Sequence, residues 1–144
     1  EQMALAADLG LPVIYHVREA WGDFLSLIRG AAHRGVMHCY SGSVESARIC
    51  LDAGLYISFS GTVTYRNAAK LLDAARYVPA DRLLIETDSP YLAPEPVRGR
   101  RNDPRCVAHI ARRLAALRGV PVEELAQTTM ENGRRLFGIP DNTE

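Results

Sequence analysis

Four short apolar runs begin at residues 12, 36, 56 and 83, separated by 24, 20 and 27 residues. Each interval has room for one β-strand, one helix and their loops, and little else. The runs read as strands over 12–16, 36–40, 56–60 and 83–87. The stretches between them read as helices. Residues 21–32 repeat Trp21, Phe24, Leu25 and Ile28 at helical spacing, 44–53 follow Ser43 as an N-cap, and 67–77 end before Pro79. A strand–helix repeat of this period makes a parallel sheet with right-handed crossovers. Runs such as Leu83-Leu84-Ile85 do not alternate with polar residues, as expected of strands covered on both faces. One helix (1–9, closed by Gly10) precedes the first strand. Two more (104–118, with Asp103 as N-cap, and 122–136) follow the last. Four such units fit either a small open sheet or half of an eight-stranded barrel; the half barrel would leave its outer strands as open edges. The opening EQMALAADLG reads as the interior of a helix, so a preceding portion of chain is expected, and the tail GIPDNTE is expected to fray.

The strand ends carry the chemistry. PVIYH ends in His16, GVMHC carries His38, and ETDSPYLAP carries Asp88. In parallel α/β folds the reactive groups sit at the C-terminal strand tips. An imidazole held there serves as a metal ligand or general base, or as a hydrogen-bonded structural residue. Two imidazoles and a carboxylate at three equivalent tips point to a metal site. Glu86 lies two residues before Asp88, so in a continuing strand both project to one face. Two carboxylates there are costly unless a cation or a proton lies between them. The alternative for Asp88 is a turn or cap role before Ser89-Pro90. Arg18 should share the face of His16, where a guanidinium suits an anion such as phosphate; the alternative is a salt bridge to Glu19 or Glu86. Arg98, Arg100 and Arg101, in the irregular loop 93–104, are either a phosphate-backbone contact or a solvated basic loop. His33 and His109 are expected on helices, as surface or packing residues.

Composition excludes some classes. Lys+Arg and Asp+Glu number 17 each, so net charge gives no global argument for a nucleic-acid partner. Cys39, Cys50 and Cys106 form no CxxC, so neither a zinc knuckle nor a disulfide framework is expected, and buried reduced thiols in a cytoplasmic protein are. No apolar run approaches the ~18–20 residues of a membrane span.

The stretches PVIYHVREA, HCYSGS, YISFSGTVT, LLIETDSPYLAP, RGRRNDP and ENGRRLFG run in this order along nearly the whole chain. In them the chain resembles the TatD family of metal-dependent deoxyribonucleases, within the amidohydrolase-like barrels. It departs mildly, with Tyr40 where the family has Phe and Asp103 where it has Glu. The family's HxH strand and the Glu of its GEIGLD-like motif do not occur in this sequence. The resemblance therefore implies a TIM-type (β/α)8 barrel of which only strands 5–8 are present, residues 1–144 being the C-terminal half of one domain. It implies divalent cations (Mg, Mn or Zn) held by His16, His38 and Asp88, with Asp88 also the catalytic base that orients the attacking water. Glu86, Arg18 and Asn102 are implied as groups behind the ligands or in contact with substrate. The expected substrate is DNA or another phosphodiester, the expected partner is the missing N-terminal half of the barrel, and the chain alone is expected to be inactive. Two other readings stay open: a related barrel hydrolase of ester or amide bonds, and a non-catalytic half barrel that only binds a partner.

Overall fold

The structure, a computed structural model, describes residues 1–140. In chain order the elements are α1 (Gln2–Asp8), β1 (Val13–Tyr15), α2 (Trp21–Ile28), β2 (Gly35–Met37), α3 (Val44–Asp52), β3 (Tyr56–Phe59), α4 (Ala69–Tyr77), β4 (Leu83–Ile85), α5 (Val107–Arg118) and α6 (Val122–Phe137). Short 3-10 turns occupy Gly61–Thr64, Ala80–Arg82 and Pro104–Cys106. The four strands form one parallel sheet in the order β1-β2-β3-β4, the topology expected of repeated βα units.

Every strand is shorter than its apolar run suggests, but pairing persists beyond the regular part. His38 N donates to Tyr15 O at 3.1 Å, Tyr40 N to Ser58 O at 2.9 Å, and Glu86 N to Phe59 O at 3.1 Å. Strands β2 and β4 are followed by left-handed backbone at Cys39 (φ 45°) and Asp88 (φ 57°), which turns the chain out of the sheet. Helix α2 also stops early. Arg29 leaves the helical region at ψ 139°, and Gly30 follows at φ 78°, which places His33 in a loop rather than on a helix. His109 lies on α5 as expected.

Ser43 caps α3 through a capping box in which Ser46 replaces the usual Glu or Gln: Ser43 N donates to Ser46 Oγ at 2.8 Å. Asp103 accepts from Arg105 N at 2.9 Å and caps the Pro104–Cys106 turn rather than α5 itself. Gly138 (φ 67°) ends α6, and Ile139 N donates to Arg134 O at 3.1 Å. The tail therefore begins as an ordered C-cap; residues 141–144 lie outside the described residues.

The sheet has two distinct faces. Tyr15, Met37, Ile57, Phe59 and Leu83 point into the main core, packed against the helices of the βα units. Ile14, Val36, Tyr56, Ser58 and Leu84 alternate with them and point the other way. That second face is covered only in part. Leu136 of α6 reaches across it and buries itself with Val36, Tyr56 and Leu84. Burying one leucine contributes about 1.5–3 kcal/mol. Arg34, just before β2, donates to Leu136 O at 2.7 Å and to Gly10 O at 2.8 Å, tying the ends of α6 and α1 to the base of the sheet. Asn132 does the same at β4, donating to Ala80 O at 2.7 Å and Leu83 O at 2.8 Å. The rest of this face stays open: a cavity of about 550 Å³ lies over it, lined by Ile14, Ser58, Met130 and Phe137, and Ile14 of β1 is 61% exposed.

Candidate metal centre

Sheet register brings the two histidines together. Tyr15 pairs with Met37, so the next residues, His16 and His38, stand side by side, their ring centroids 5.5 Å apart. Two strands away, β4 delivers Glu86 and then Asp88. The same-face argument for these carboxylates assumed a strand through residue 87, whereas β4 ends at Ile85 and Asp88 has left-handed backbone. The two still converge, because the turn swings Asp88 back over His38.

Glu86 Oε1 lies 2.6 Å from His38 Nδ1, a close approach that is not aligned as a linear hydrogen bond, and Asp88 Oδ1 lies 3.6 Å from His38 Nε2. The imidazole is thus held between two carboxylates, one at each nitrogen. Ligand atoms of His38, Glu86 and Asp88 all lie within 4.8 Å of one another. Glu86 Oε1 is buried without a hydrogen bond among the described residues, the kind of orphaned charge that a nearby cation compensates. Two ligands each about 2.1 Å from one cation stand roughly 3–3.5 Å apart, close to the separation of His38 Nε2 and Asp88. This donor set fits a divalent cation that accepts nitrogen and oxygen ligands.

A cleft of about 870 Å³ opens over the site, bordered by His16, Arg18, His38 and Asp88, with Lys70 and Tyr91 on its walls. Arg18 is exposed beside His16, and no described residue makes with it the salt bridge of the alternative reading. The arginine loop behaves differently. Arg98 stacks over Tyr65, 4.2 Å from the ring centroid, and approaches Glu95 at 3.8 Å. Arg105 is engaged with Asp103. Neither these two nor Arg100 and Arg101 line the cleft.

Asn102 is 2% exposed and does not face the cleft; its amide nitrogen donates to Thr87 O at 2.7 Å and to Tyr91 O at 2.6 Å. It therefore clamps the turn that carries Asp88. The close approach of Leu92 O to Gly61 locks the same loop from the other side, since a Cβ at Gly61 would lie 2.0 Å from that oxygen. Cys39 also borders the cleft. Burial pushes its thiol up to about 11, against the pull of the hydrogen bond from Ser60 and with smaller upward contributions from Glu86 and Asp88. All three cysteines are free, but only Cys50 is buried. Lys70, Tyr65 and Tyr91 were not legible as cleft residues, because two stand in or before a helix and the third follows a turn whose direction the sequence does not state.

A parallel βα sheet with imidazoles and carboxylates at the C-terminal tips of its strands is the construction of the barrel-type metal-dependent hydrolases. The chain belongs to the family described as TatD related DNase, whose profile matches residues 1–138. It is 54% identical over 138 residues to the "uncharacterized metal-dependent hydrolase YcfH" of Escherichia coli K12, covering 94% of this chain and 52% of that protein. It is 40% identical over 146 residues to the "3'-5' ssDNA/RNA exonuclease TatD" of Erwinia amylovora, covering 96% of this chain and 56% of that one. Among solved structures it is similar to YjjV, a TatD homologue from Escherichia coli K12. That match has a TM-score of 0.88 and 34% identity, and covers 96% of this chain and 54% of that one. The chain thus spans about half the length of the curated relatives it matches. No helix among the described residues is long and apolar enough to cross a membrane.

Proposed function

We propose that this chain supplies strands five to eight of a TatD-type barrel that hydrolyses phosphodiester bonds of nucleic acid with a divalent cation. The observation that carries this reading is the convergence of His38, Glu86 and Asp88 within 4.8 Å at the strand tips, with His16 beside them. His16, His38 Nε2 and Asp88 would hold the cation, which when bound neutralises the scissile phosphate and makes water a stronger nucleophile. The charge of Glu86 beside Nδ1 favours the proton on that nitrogen and leaves the Nε2 lone pair facing Asp88. Asp88 accepts the proton of the attacking water as its oxygen bonds to phosphorus and the P–O bond to the leaving oxygen breaks. Arg18 binds a non-bridging phosphate oxygen across the cleft.

On this reading the 144-residue chain alone holds metal weakly and turns over little, because three ligands leave a catalytic cation under-held and the other barrel strands bring the rest. The test is hydrolysis of single-stranded DNA by the intact protein, with and without added Mg, Mn or Zn. Loss of activity on chelation, its return with metal, and a fall of at least 100-fold in Asp88→Asn are expected. Activity that survives both chelation and Asp88→Asn would sink the proposal.

A further inference from the structure

The most exposed large aromatic of the described chain sits at the mouth of the metal cleft. Tyr91 is 72% exposed and forms part of the cleft wall together with His16, His38 and Asp88. A single exposed aromatic on a loop needs no explanation. Tyr91 differs in how firmly its backbone is held. Its N–H donates to Asp88 O at 2.9 Å, closing a turn three residues from the metal-site carboxylate. Its carbonyl accepts from the buried Asn102 at 2.6 Å. The next residue, Leu92, has left-handed backbone and rests its carbonyl against Gly61. The ring, by contrast, makes no aromatic or cation contact with any described residue, and its hydroxyl makes no hydrogen bond. A rigid pedestal carries an idle, solvent-facing ring, and Arg18 and Lys70 stand on the same cleft.

We infer that Tyr91 is a stacking platform for one nucleobase of a single-stranded nucleic acid, the base attached to the nucleotide whose phosphate lies at His38 and Asp88. The inference rests on the phosphodiesterase reading and extends it to a residue that selects the substrate. A base in a duplex has both faces covered by its neighbours, whereas an unpaired terminal base has a free face to offer a tyrosine. The hydrogen-bonded turn between Asp88 and Tyr91 keeps the platform within one nucleotide of the carboxylate. Stacking needs only a π-face, so the platform favours single strands over duplexes and discriminates weakly among the four bases. The cations beside it hold the backbone without reading sequence.

The experiment uses the intact protein with single-stranded oligonucleotides carrying 2-aminopurine at one end, linked by a bridging methylenephosphonate, which keeps the charged non-bridging oxygens but replaces the scissile P–O bond with P–C. Stacking quenches this base, so the readout does not depend on turnover. Wild type and Tyr91→Trp should quench it, and Tyr91→Ala should lose the quench and bind about 5- to 150-fold more weakly. With a cleavable strand, Tyr91→Ala should raise KM by a similar factor and leave kcat within about threefold. With an abasic residue at the same end, wild type and Tyr91→Ala should behave alike. Unchanged affinity in Tyr91→Ala, or an equal loss on the abasic strand, overturns the platform. Quenching without any cleavage supports the platform and removes the hydrolase reading instead.

Discussion

Glu86 places a carboxylate oxygen 2.6 Å from Nδ1 of His38, while Nε2 of the same ring faces Asp88. A carboxylate behind a ligating imidazole fixes both tautomer and ring orientation and raises ligand basicity. Substituting Glu86→Gln should therefore weaken binding of Zn or Mn by about 10- to 100-fold while the circular dichroism spectrum stays unchanged. Calorimetric titration of the intact protein checks this. Equal affinity in wild type and Glu86→Gln would show that the ring is oriented by something else.

Asn102 is the second positioning residue. Truncation in Asn102→Ala leaves Thr87 O and Tyr91 O without their donor. Both bonds are part-buried, so losing each costs about 0.5–1.5 kcal/mol. The expected outcome is a lower urea midpoint together with a loss of metal affinity, since the same two bonds hold the Asp88 turn. A drop in midpoint with unaltered metal binding would separate the clamp from the site.

Gly61 is required by contact rather than by backbone angle. Alanine there would place a methyl group 2.0 Å from Leu92 O, a backbone atom that cannot rotate away. Gly61→Ala should destabilise the protein by about 1–3 kcal/mol through overpacking and should push the Tyr91–Leu92 loop outward. Denaturant unfolding measures the first effect, and amide exchange in residues 88–95 measures the second. A midpoint equal to wild type would mean that the loop yields freely.

Cys50 is fully buried on α3, and burial pushes its thiol up to about 12. The folded chain thus holds this proton more tightly than the unfolded chain, whose thiol titrates near 8.5. The corresponding stability is complete below about pH 8.5 and is lost as pH rises toward about 12. At pH 8, alkylation with iodoacetamide followed by mass spectrometry should leave Cys50 unlabelled until denaturant is added. Rapid labelling of native protein would contradict the burial.

Much of this architecture can be read directly from the chain. The strand starts, the Ser43 cap, the glycine at the end of α5 and the side-by-side tips of His16 and His38 follow from period, propensity and register. The convergence of Glu86 and Asp88 was legible for a reason that does not hold. It comes from a left-handed turn at Asp88 rather than from strand alternation, and a turn's direction is set by what clamps it, here Asn102, fourteen residues further along. The roles of Arg34, Asn132 and Gly61 are equally silent in sequence. Each depends on which distant backbone comes to rest against it, which local propensity does not encode. Arg98 illustrates the converse: a basic loop that suggests phosphate contacts spends one of its charges on Tyr65 and Glu95.

The partial covering of the sheet's second face by Leu136 sets an order of events in time. Arg34 and Leu136, which meet at the base of β2, are 102 positions apart. Contacts of such separation form late, because the intervening chain must be ordered before they contribute. On a ribosome, β1 to β3 can assemble with their own helices while Val36 and Tyr56 still face water, and Leu136 covers them only after α6 has emerged.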